Sequence, residues 1–152
     1  MSLGFRMVDA DSPELDIVAG LVAHLYAHEN IRYDADAVRN ALSGLVSEPK
    51  HGCVFLLLEG DSVVGYMVVT FGYSIEFQGI DAFLDEIFIL DAYRGRGFGA
   101  QAITHAEAYC REKGIRALHL EVERDNTRAQ HFYRKLGFAD HDRYLLTKWI
   151  SR

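Results

Sequence analysis

A glycine-rich turn at residues 94–100, with the sequence Arg-Gly-Arg-Gly-Phe-Gly-Ala, constrains the fold more than any other part of the chain. An apolar strand is predicted before it, over residues 82–90. An amphipathic helix is predicted after it, from Phe98 to about Lys113, with Gly114 as its stop. Glycines let the backbone approach an anion closely, and the first N–H groups of a helix point at that anion. Because two arginines add charge-assisted hydrogen bonds to phosphate oxygens, the sequence predicts a pyrophosphate site at this turn.

Three phosphate-binding patterns compete for this turn. A nucleotide triphosphate loop requires Lys-Ser or Lys-Thr after its glycines, and neither follows here. Residues 95–100 match the short form of a dinucleotide fingerprint, and Glu121 or Glu123 lies roughly where a ribose-binding acid would. Because only 29 residues follow Glu123 and the chain before the turn is predicted to form hairpins, we do not expect the further βαβ units of that fold. The third pattern, Arg-x-x-Gly-x-Gly, is met by residues 94–99.

Composition limits the class of protein and its partners. With 152 residues, 49% hydrophobic and 25% charged, the chain is expected to form a single globular domain over residues 1–152. Its formal charge of −6 disfavours a nucleic-acid partner and mildly favours cationic ligands. Cys53 and Cys110 form no Cys-x-x-Cys pattern, which indicates two buried thiols in a reducing compartment. Without a long apolar stretch or a signal-peptide pattern, we expect a cytoplasmic protein with no membrane partner.

Periodicity and turn signals predict the elements on either side of the turn. The predicted strands are residues 5–8, 54–58, 63–71, 82–90, 117–122 and 144–150, and the predicted helices begin at Ser12-Pro13, Asp34, Phe98 and Thr127. The order β-α-α-β-β-β-α-β-α-β predicts an α/β fold in which helices flank both faces of a central mixed sheet.

The Arg-x-x-Gly-x-Gly turn resembles motif A of the GNAT superfamily, the acyl-CoA-dependent N-acyltransferases. The likeness continues through residues 120–126 to Ala129 and residues 132–138, which resemble motif B, and it covers roughly residues 54–138. The resemblance implies that the strands before and after the turn splay apart and that CoA lies in the gap.

The resemblance also implies acetyl-CoA as co-substrate, with no metal. A backbone N–H near Ile89 would contact the thioester carbonyl, and Tyr133 occupies the place of a family tyrosine near the CoA sulfur. A phenol with a pKa of about 10 can protonate a leaving thiolate, although Tyr133 could also simply pack beside Phe132. Asn126 could cap its helix or bond the pantetheine arm. The residues expected at the acetyl-CoA site are Ile87, Phe88, Ile89, Arg94, Gly95, Arg96, Gly97, Phe98, Gly99, Ala100, Asn126 and Tyr133.

Three carboxylates, Asp85, Glu86 and Glu121, are candidates for the base that deprotonates the amine. Strand alternation sends Asp85 and Glu86 to opposite faces and places Asp85 with Phe83 and Ile87. Different GNAT branches carry an acid at each of the three positions, and other members use water relays. The sequence leaves the base open, with Asp85 as the first candidate.

Residues 21–29 are similar to the first helix of the diamine (spermidine/spermine-type) N-acetyltransferase branch, in which a Tyr-Glu pair helps line the polyamine site. Here that pair is His28 and Glu29, so the tyrosine is replaced. The same branch has an acid at the position of Asp85. The resemblance implies a small cationic amine substrate and a homodimer in which both subunits line the site. His24 and His28 lack a third metal ligand at fixed spacing, so no metal site is expected.

We therefore expect an acetyl-CoA-dependent N-acetyltransferase in which a primary amine of a small cationic substrate attacks the thioester directly. Two alternatives stay open. One is acetylation of a protein N-terminus or lysine, because residues 120–122 also resemble the ribosomal-protein N-acetyltransferases. The other is a CoA-sensing module without turnover. The sequence does not specify the amine or the acyl chain.

Overall fold

The computed structural model of the protein describes residues 2–152. The chain forms two compact units, of which the first ends at Glu121 and the second comprises Val122–Arg152. The single domain expected for residues 1–152 stays a prediction.

The first unit contains the sheet and the glycine-rich turn. Its elements are β1 (Gly4–Met7), α1 (Glu14–His28), α2 (Ala35–Ser47), β2 (Gly52–Glu59), β3 (Ser62–Ser74), β4 (Gly79–Ile89), a short 3₁₀ helix (Asp91–Tyr93), α3 (Phe98–Glu112) and β5 (Leu118–His119). The second unit contains α4 (Thr127–Lys135). The predicted order of elements is confirmed up to α4.

The five strands form one sheet in the order β1-β2-β3-β4-β5. Neighbouring strands from β1 to β4 are antiparallel to each other, whereas β4 and β5 are parallel. The sheet is therefore mixed, as the sequence predicts.

Helices cover both faces of this sheet. On one face, α1 and α2 pack on a buried cluster whose sheet members are Val54, Leu56, Tyr66, Val68 and Phe88. On the other face, the ring of Phe55 lies edge-on against His105 and Tyr109 of α3, with centroids 4.9 and 5.4 Å away. Burial of apolar surface on both sides fixes the sheet between the helices.

A β-bulge interrupts β4 in the middle of the sheet. Val68 of β3 pairs with Glu86, but the next residue, Val69, pairs with Leu84. Asp85 is therefore an extra residue on β4 with no partner of its own in the register. A bulge of this kind bends the strand and increases its local twist.

The pairing between β4 and β5 is short. Only Ala82 with Leu118 and Phe83 with His119 are in register, and β4 then continues to Ile89 without β5 beside it. The two strands thus separate immediately before the bulge, in agreement with the splay that the resemblance implies.

Two strand predictions require correction. The strand expected over residues 117–122 is reduced to β5, Leu118–His119, because β4 turns away and offers no further backbone partner. The strand expected over residues 144–150 is wrong, since that part of the chain has no strand conformation and none of the five strands includes it. Strand-forming residues need a hydrogen-bonded neighbour before they form a strand.

Gly65 lets β3 and β4 approach closely beside the site. A Cβ at Gly65 would lie 2.0 Å from the carbonyl oxygen of Phe88, so Gly65→Ala should force the strands apart and lower the free energy of unfolding by about 1–3 kcal/mol. The matched control is Gly44→Ala in α2, where a Cβ meets no atom within 4 Å and the change should stabilise the protein by about 0.4–1 kcal/mol. Urea unfolding measures both, and a Gly65→Ala protein as stable as the wild type would contradict the close approach.

Candidate active site

The glycine-rich turn leaves the start of α3 bare. Gly95 and Gly97 have φ angles of 75° and 79°, in the left-handed region that favours glycine. Gly97 is the N-cap of α3 and has no side chain to cap it. A Cβ at either glycine would meet no protein atom within 4 Å, so both positions face open space.

Because no side chain caps α3, the first N–H groups of this helix are available to an anion. The first hydrogen bond at this end of the helix joins the Gln101 N–H to the Gly97 carbonyl at 3.2 Å. The N–H groups at residues 98–100 precede that bond and point along the helix axis, where the helix dipole favours negative charge. Phe98, only 2% exposed, anchors the turn to the core.

Both arginines of the turn are held by carboxylates of the first unit. Arg94 donates from Nε to the Ile89 carbonyl at 2.8 Å and pairs with Asp91 at 3.0 Å. Arg96 pairs with Glu59 at the end of β2, and its guanidinium lies 4.9 Å from the centroid of the Phe98 ring. These ion pairs are at the surface, where such pairs contribute little to stability.

The bulge changes which side chains of β4 share a face. In the register of β4 with β3, Phe83 pairs with Thr70 and Ile87 pairs with Met67. Met67 and Thr70 are three residues apart on a regular part of β3, so their side chains point to opposite faces. Phe83 and Ile87 therefore lie on opposite faces of the sheet. The prediction that Asp85 shares one face with both of them is wrong, because strict alternation does not pass through a bulge.

Glu86 follows the bulge and lies on the face covered by α1. Its two carboxylate oxygens each accept a hydrogen bond, one from the Tyr26 hydroxyl of α1 at 2.6 Å and one from the Tyr66 hydroxyl of β3 at 2.7 Å. Burial raises the pKa of Glu86, whereas the two hydrogen bonds oppose that rise. Burial, followed by the neighbouring carboxylate, also raises the pKa of both phenols, so they remain protonated donors.

Asp85 differs from Glu86 although the two are adjacent. Its side chain is exposed, yet the protein around it displaces enough water to raise the pKa of its carboxyl group above the ordinary value. Of the remaining candidate base and substrate residues, Glu121 is exposed beyond the end of β5, and His28 and Glu29 are exposed at the end of α1. The Tyr26–Glu86 hydrogen bond connects that end of α1 to β4.

An Asp-His pair joins β4 to β5 where the strands still run together. His119 Nε2 lies 3.0 Å from Asp81 Oδ2, and the imidazole packs against the rings of Phe77 and Phe83. The sequence predicts neither this pair nor the contacts of Tyr26 and Tyr66. Of these residues, only Asp81 is marked by the sequence, because it is a single acid between apolar residues at the start of a strand.

The two candidate residues of the second unit have local structural roles. Asn126 caps α4, since its Oδ1 accepts a hydrogen bond from the Ala129 N–H at 3.1 Å. The ring of Tyr133 packs against Phe132 and Phe138, with centroids 5.3 and 5.9 Å away. The expected roles of Asn126 and Tyr133 toward CoA stay predictions.

The two thiols are poor nucleophiles. Cys53 and Cys110 are both buried and free, as expected from the sequence. Burial raises the pKa of Cys53 to about 11 and also raises that of Cys110, so both remain neutral near pH 7. Within residues 2–152, no group of three or more His, Cys, Asp or Glu side chains could hold a metal ion, and no helix is long and apolar enough to cross a membrane.

Comparison with known proteins identifies the family of the chain. Residues 19–138 match the Acetyltransferase (GNAT) family, and the chain belongs to that family. A thialysine N-epsilon-acetyltransferase of Bos taurus is 35% identical over 82 residues, which are 54% of this chain and 48% of the relative. An uncharacterized N-acetyltransferase of Archaeoglobus fulgidus is 31% identical over 96 residues, 63% of this chain and 65% of the relative. The chain thus spans about half the length of the first relative and just under two thirds of the second.

Solved structures show the same fold. An integron cassette protein from the mobile metagenome of Cole Harbour Salt Marsh superposes with a TM-score of 0.84 at 28% identity, over 97% of this chain and 91% of that protein. The aminoglycoside N-acetyltransferase AAC(6')-Iy, solved in complex with CoA, superposes with a TM-score of 0.81 at 20% identity, over 98% and 95% of the two chains. The GNAT-like fold predicted from the sequence is confirmed.

Proposed function

We propose that this protein is an acetyl-CoA-dependent N-acetyltransferase that acts on a primary amine of a small cationic substrate. The observation that carries the proposal is the bare N-terminus of α3 at Gly97, next to the stretch of β4 that β5 leaves unpaired. Membership of the GNAT family and the N-acetyltransferase relatives support the same activity.

The pyrophosphate of acetyl-CoA would bind at residues 95–100. The N–H groups at the start of α3 would donate to its oxygens, and the open space at both glycines leaves room for it. Arg94 and Arg96 would exchange Asp91 and Glu59 for phosphate oxygens. This exchange would cost little, because the carboxylate pairs it replaces are exposed or partly exposed at the surface.

The pantetheine arm would follow the unpaired part of β4. Backbone groups at residues 87–89 can hydrogen-bond an extended ligand in the way that a sheet edge binds a peptide. A backbone N–H near Ile89 would donate to the thioester carbonyl as negative charge develops on its oxygen.

The reaction requires a neutral amine and a protonated leaving group. Asp85 would take a proton from the substrate ammonium, directly or through a water, and its raised pKa makes it a better acceptor than an ordinary aspartate. The neutral amine nitrogen would then attack the thioester carbon. The nitrogen, positively charged after the attack, would lose its second proton to solvent, and the C–S bond would break. Tyr133 would give its proton to the departing thiolate and recover one from solvent.

Charge supports a cationic substrate. The chain carries a formal charge of −6, and Glu29, Asp85 and Glu86 are carboxylates of the first unit. A second cationic group of the substrate would pair with Glu29 at the end of α1. The bovine relative is named for thialysine, which supports a lysine-like amine as one member of this substrate class. We further propose a homodimer, on the resemblance to the diamine branch.

Gly97→Val tests the acetyl-CoA site. The valine side chain would enter the space in front of α3, so calorimetry should show no CoA binding by the folded variant. Gly114→Val is the matched control: Gly114 flanks the other end of α3 with a φ of 73° and equally open space, so it imposes the same kind of backbone strain and should leave CoA affinity unchanged. Unchanged affinity in a folded Gly97→Val protein would refute the assignment, and tight binding of NAD by the wild type would favour the dinucleotide interpretation.

Tyr133→Phe tests the proton donor. The substitution keeps the ring packing and removes only the hydroxyl, so kcat should fall by about 10²–10⁴-fold while CoA affinity barely changes. Tyr144→Phe removes an exposed hydroxyl from the same unit and should leave kcat at the wild-type value. A decrease of less than threefold in Tyr133→Phe would reduce Tyr133 to a packing residue.

A panel of amines tests the substrate class. Diamines and lysine-like amines should exceed neutral amines such as benzylamine in kcat/KM, with thiol release as the assay. Glu29→Gln should mainly raise KM and Asp85→Asn should mainly lower kcat, because the first removes binding and the second removes a proton acceptor. Glu48→Gln, an exposed acid at the end of α2, serves as the control.

The panel also separates the alternatives. A strong preference for peptide N-termini would favour protein acetylation, and CoA binding without thiol release from any amine would indicate a sensing module. Equal activity toward charged and neutral amines would contradict the cationic class.

A further inference from the structure

A Tyr-Glu-Tyr cluster joins three elements of the first unit beside the bulge. Tyr26 from α1 and Tyr66 from β3 donate to different oxygens of the same carboxylate, Glu86 of β4, at 2.6 and 2.7 Å. Tyr66 is fully buried, and Tyr26 and Glu86 are half-buried. No step of the proposed reaction uses either tyrosine.

The cluster places a carboxylate on a face of the sheet where the adjacent strand residues are apolar. The neighbours of Glu86 on that face are apolar, Val68 across on β3 and Phe88 two residues along β4. A carboxylate among such residues costs free energy unless it is hydrogen-bonded. An apolar side chain would fill the same space without that cost, so the charge itself requires an explanation.

The cluster holds a negative charge without neutralising it. The groups that face Glu86 are Tyr26 of α1, Tyr66 of β3 and the adjacent Asp85 of β4, with Tyr33 packed edge-on against Tyr26 at 6.2 Å. Both hydrogen-bond donors are neutral phenols. The carboxylate therefore keeps its net charge while its orientation is fixed at both oxygens.

Glu86 directly follows Asp85, the bulged residue and the proposed proton acceptor. We infer that Tyr26 and Tyr66 are positioning residues that hold Glu86 as a fixed anion, and that this anion binds the ammonium form of the amine that will react. The ammonium then gives its proton to Asp85, and the neutral amine attacks. The inference rests on the proposed function and divides the roles of two adjacent carboxylates, binding for Glu86 and proton transfer for Asp85.

Tyr26→Phe and Tyr66→Phe test the inference, with Tyr109→Phe as the control. Tyr109 lies on the opposite face of the sheet, where its ring packs against Phe55 and Phe71. Each test variant removes one hydrogen bond to the charged form of Glu86, so the pKa of Glu86 should rise by about one unit. Carbon-13 NMR titration of the Glu86 carboxyl, assigned with Glu86→Gln, measures that pKa in the protein without CoA.

The kinetic readout is the pH dependence of kcat/KM for a diamine. A raised pKa leaves Glu86 less ionised at acidic pH, so the acid limb should move to higher pH. At a pH below the Glu86 pKa of both proteins, kcat/KM of each variant should be about tenfold lower than that of the wild type. At neutral pH, KM should rise while kcat changes less than twofold. A role confined to stability would lower the free energy of unfolding without moving the limb.

Each outcome decides a separate part of the inference. An unchanged Glu86 titration in both variants overturns the positioning role, and a changed titration with an unchanged acid limb and KM overturns the ammonium-binding role. The half-buried Tyr26→Phe variant carries the test if Tyr66→Phe fails to fold. A wild-type protein that acetylates no amine rejects the proposed function itself, and the titration remains interpretable in that case.

Discussion

One extra residue in β4 determines how the rest of the first unit is arranged. With Asp85 inserted, β4 keeps its pairing with β3 on both sides of the bulge but changes direction between them. Pairing with β5 ends at Phe83, two residues earlier, so the strands part and the rest of β4 has no neighbouring strand on that edge. The same insertion leaves Asp85 without a partner in the register, whereas Glu86 directly after it pairs with Val68. The change in register thus lies between the end of the β5 pairing and the half-buried carboxylate of Glu86.

The packing around β4 keeps this irregular strand in place. Gly65 permits the close approach of β3 to the end of β4. The helices α1 and α3 pack on opposite faces of the sheet. The Tyr26 hydroxyl adds a polar link between α1 and β4 inside an otherwise apolar contact. Because such a bond needs exact distances at both ends, it specifies the position of α1 more narrowly than hydrophobic contact alone would.

Local signals in the sequence were sufficient for the turn and the helices. Glycines at positive φ and the Asp34 and Asn126 caps act within a few residues, so the pattern of residues predicts them directly. The Tyr26–Glu86 bond joins residues 60 apart and the Asp81–His119 pair joins residues 38 apart, and no periodicity reports such contacts. The strand errors have a related cause. Alternation predicts side-chain faces only while the register is regular, and a bulge has no reliable signature in a single sequence. Likewise, the aromatic and aliphatic residues at 144–150 have strand propensity, but a strand also needs a neighbour, which is a property of the whole fold.

The internal partners of the two turn arginines affect which anions can compete for the turn. Asp91 and Glu59 belong to the same chain as Arg94 and Arg96, so their local concentration is high and constant. A chloride or a single free phosphate must displace a tethered carboxylate and gains few contacts in return. In the proposed acetyl-CoA site, a diphosphate would engage both guanidinium groups and the α3 N–H groups at once, so a chelate effect would offset the loss of two weak pairs. The proposed site would thereby discriminate among anions by the number of contacts each can make simultaneously, and abundant small ions would be poor competitors.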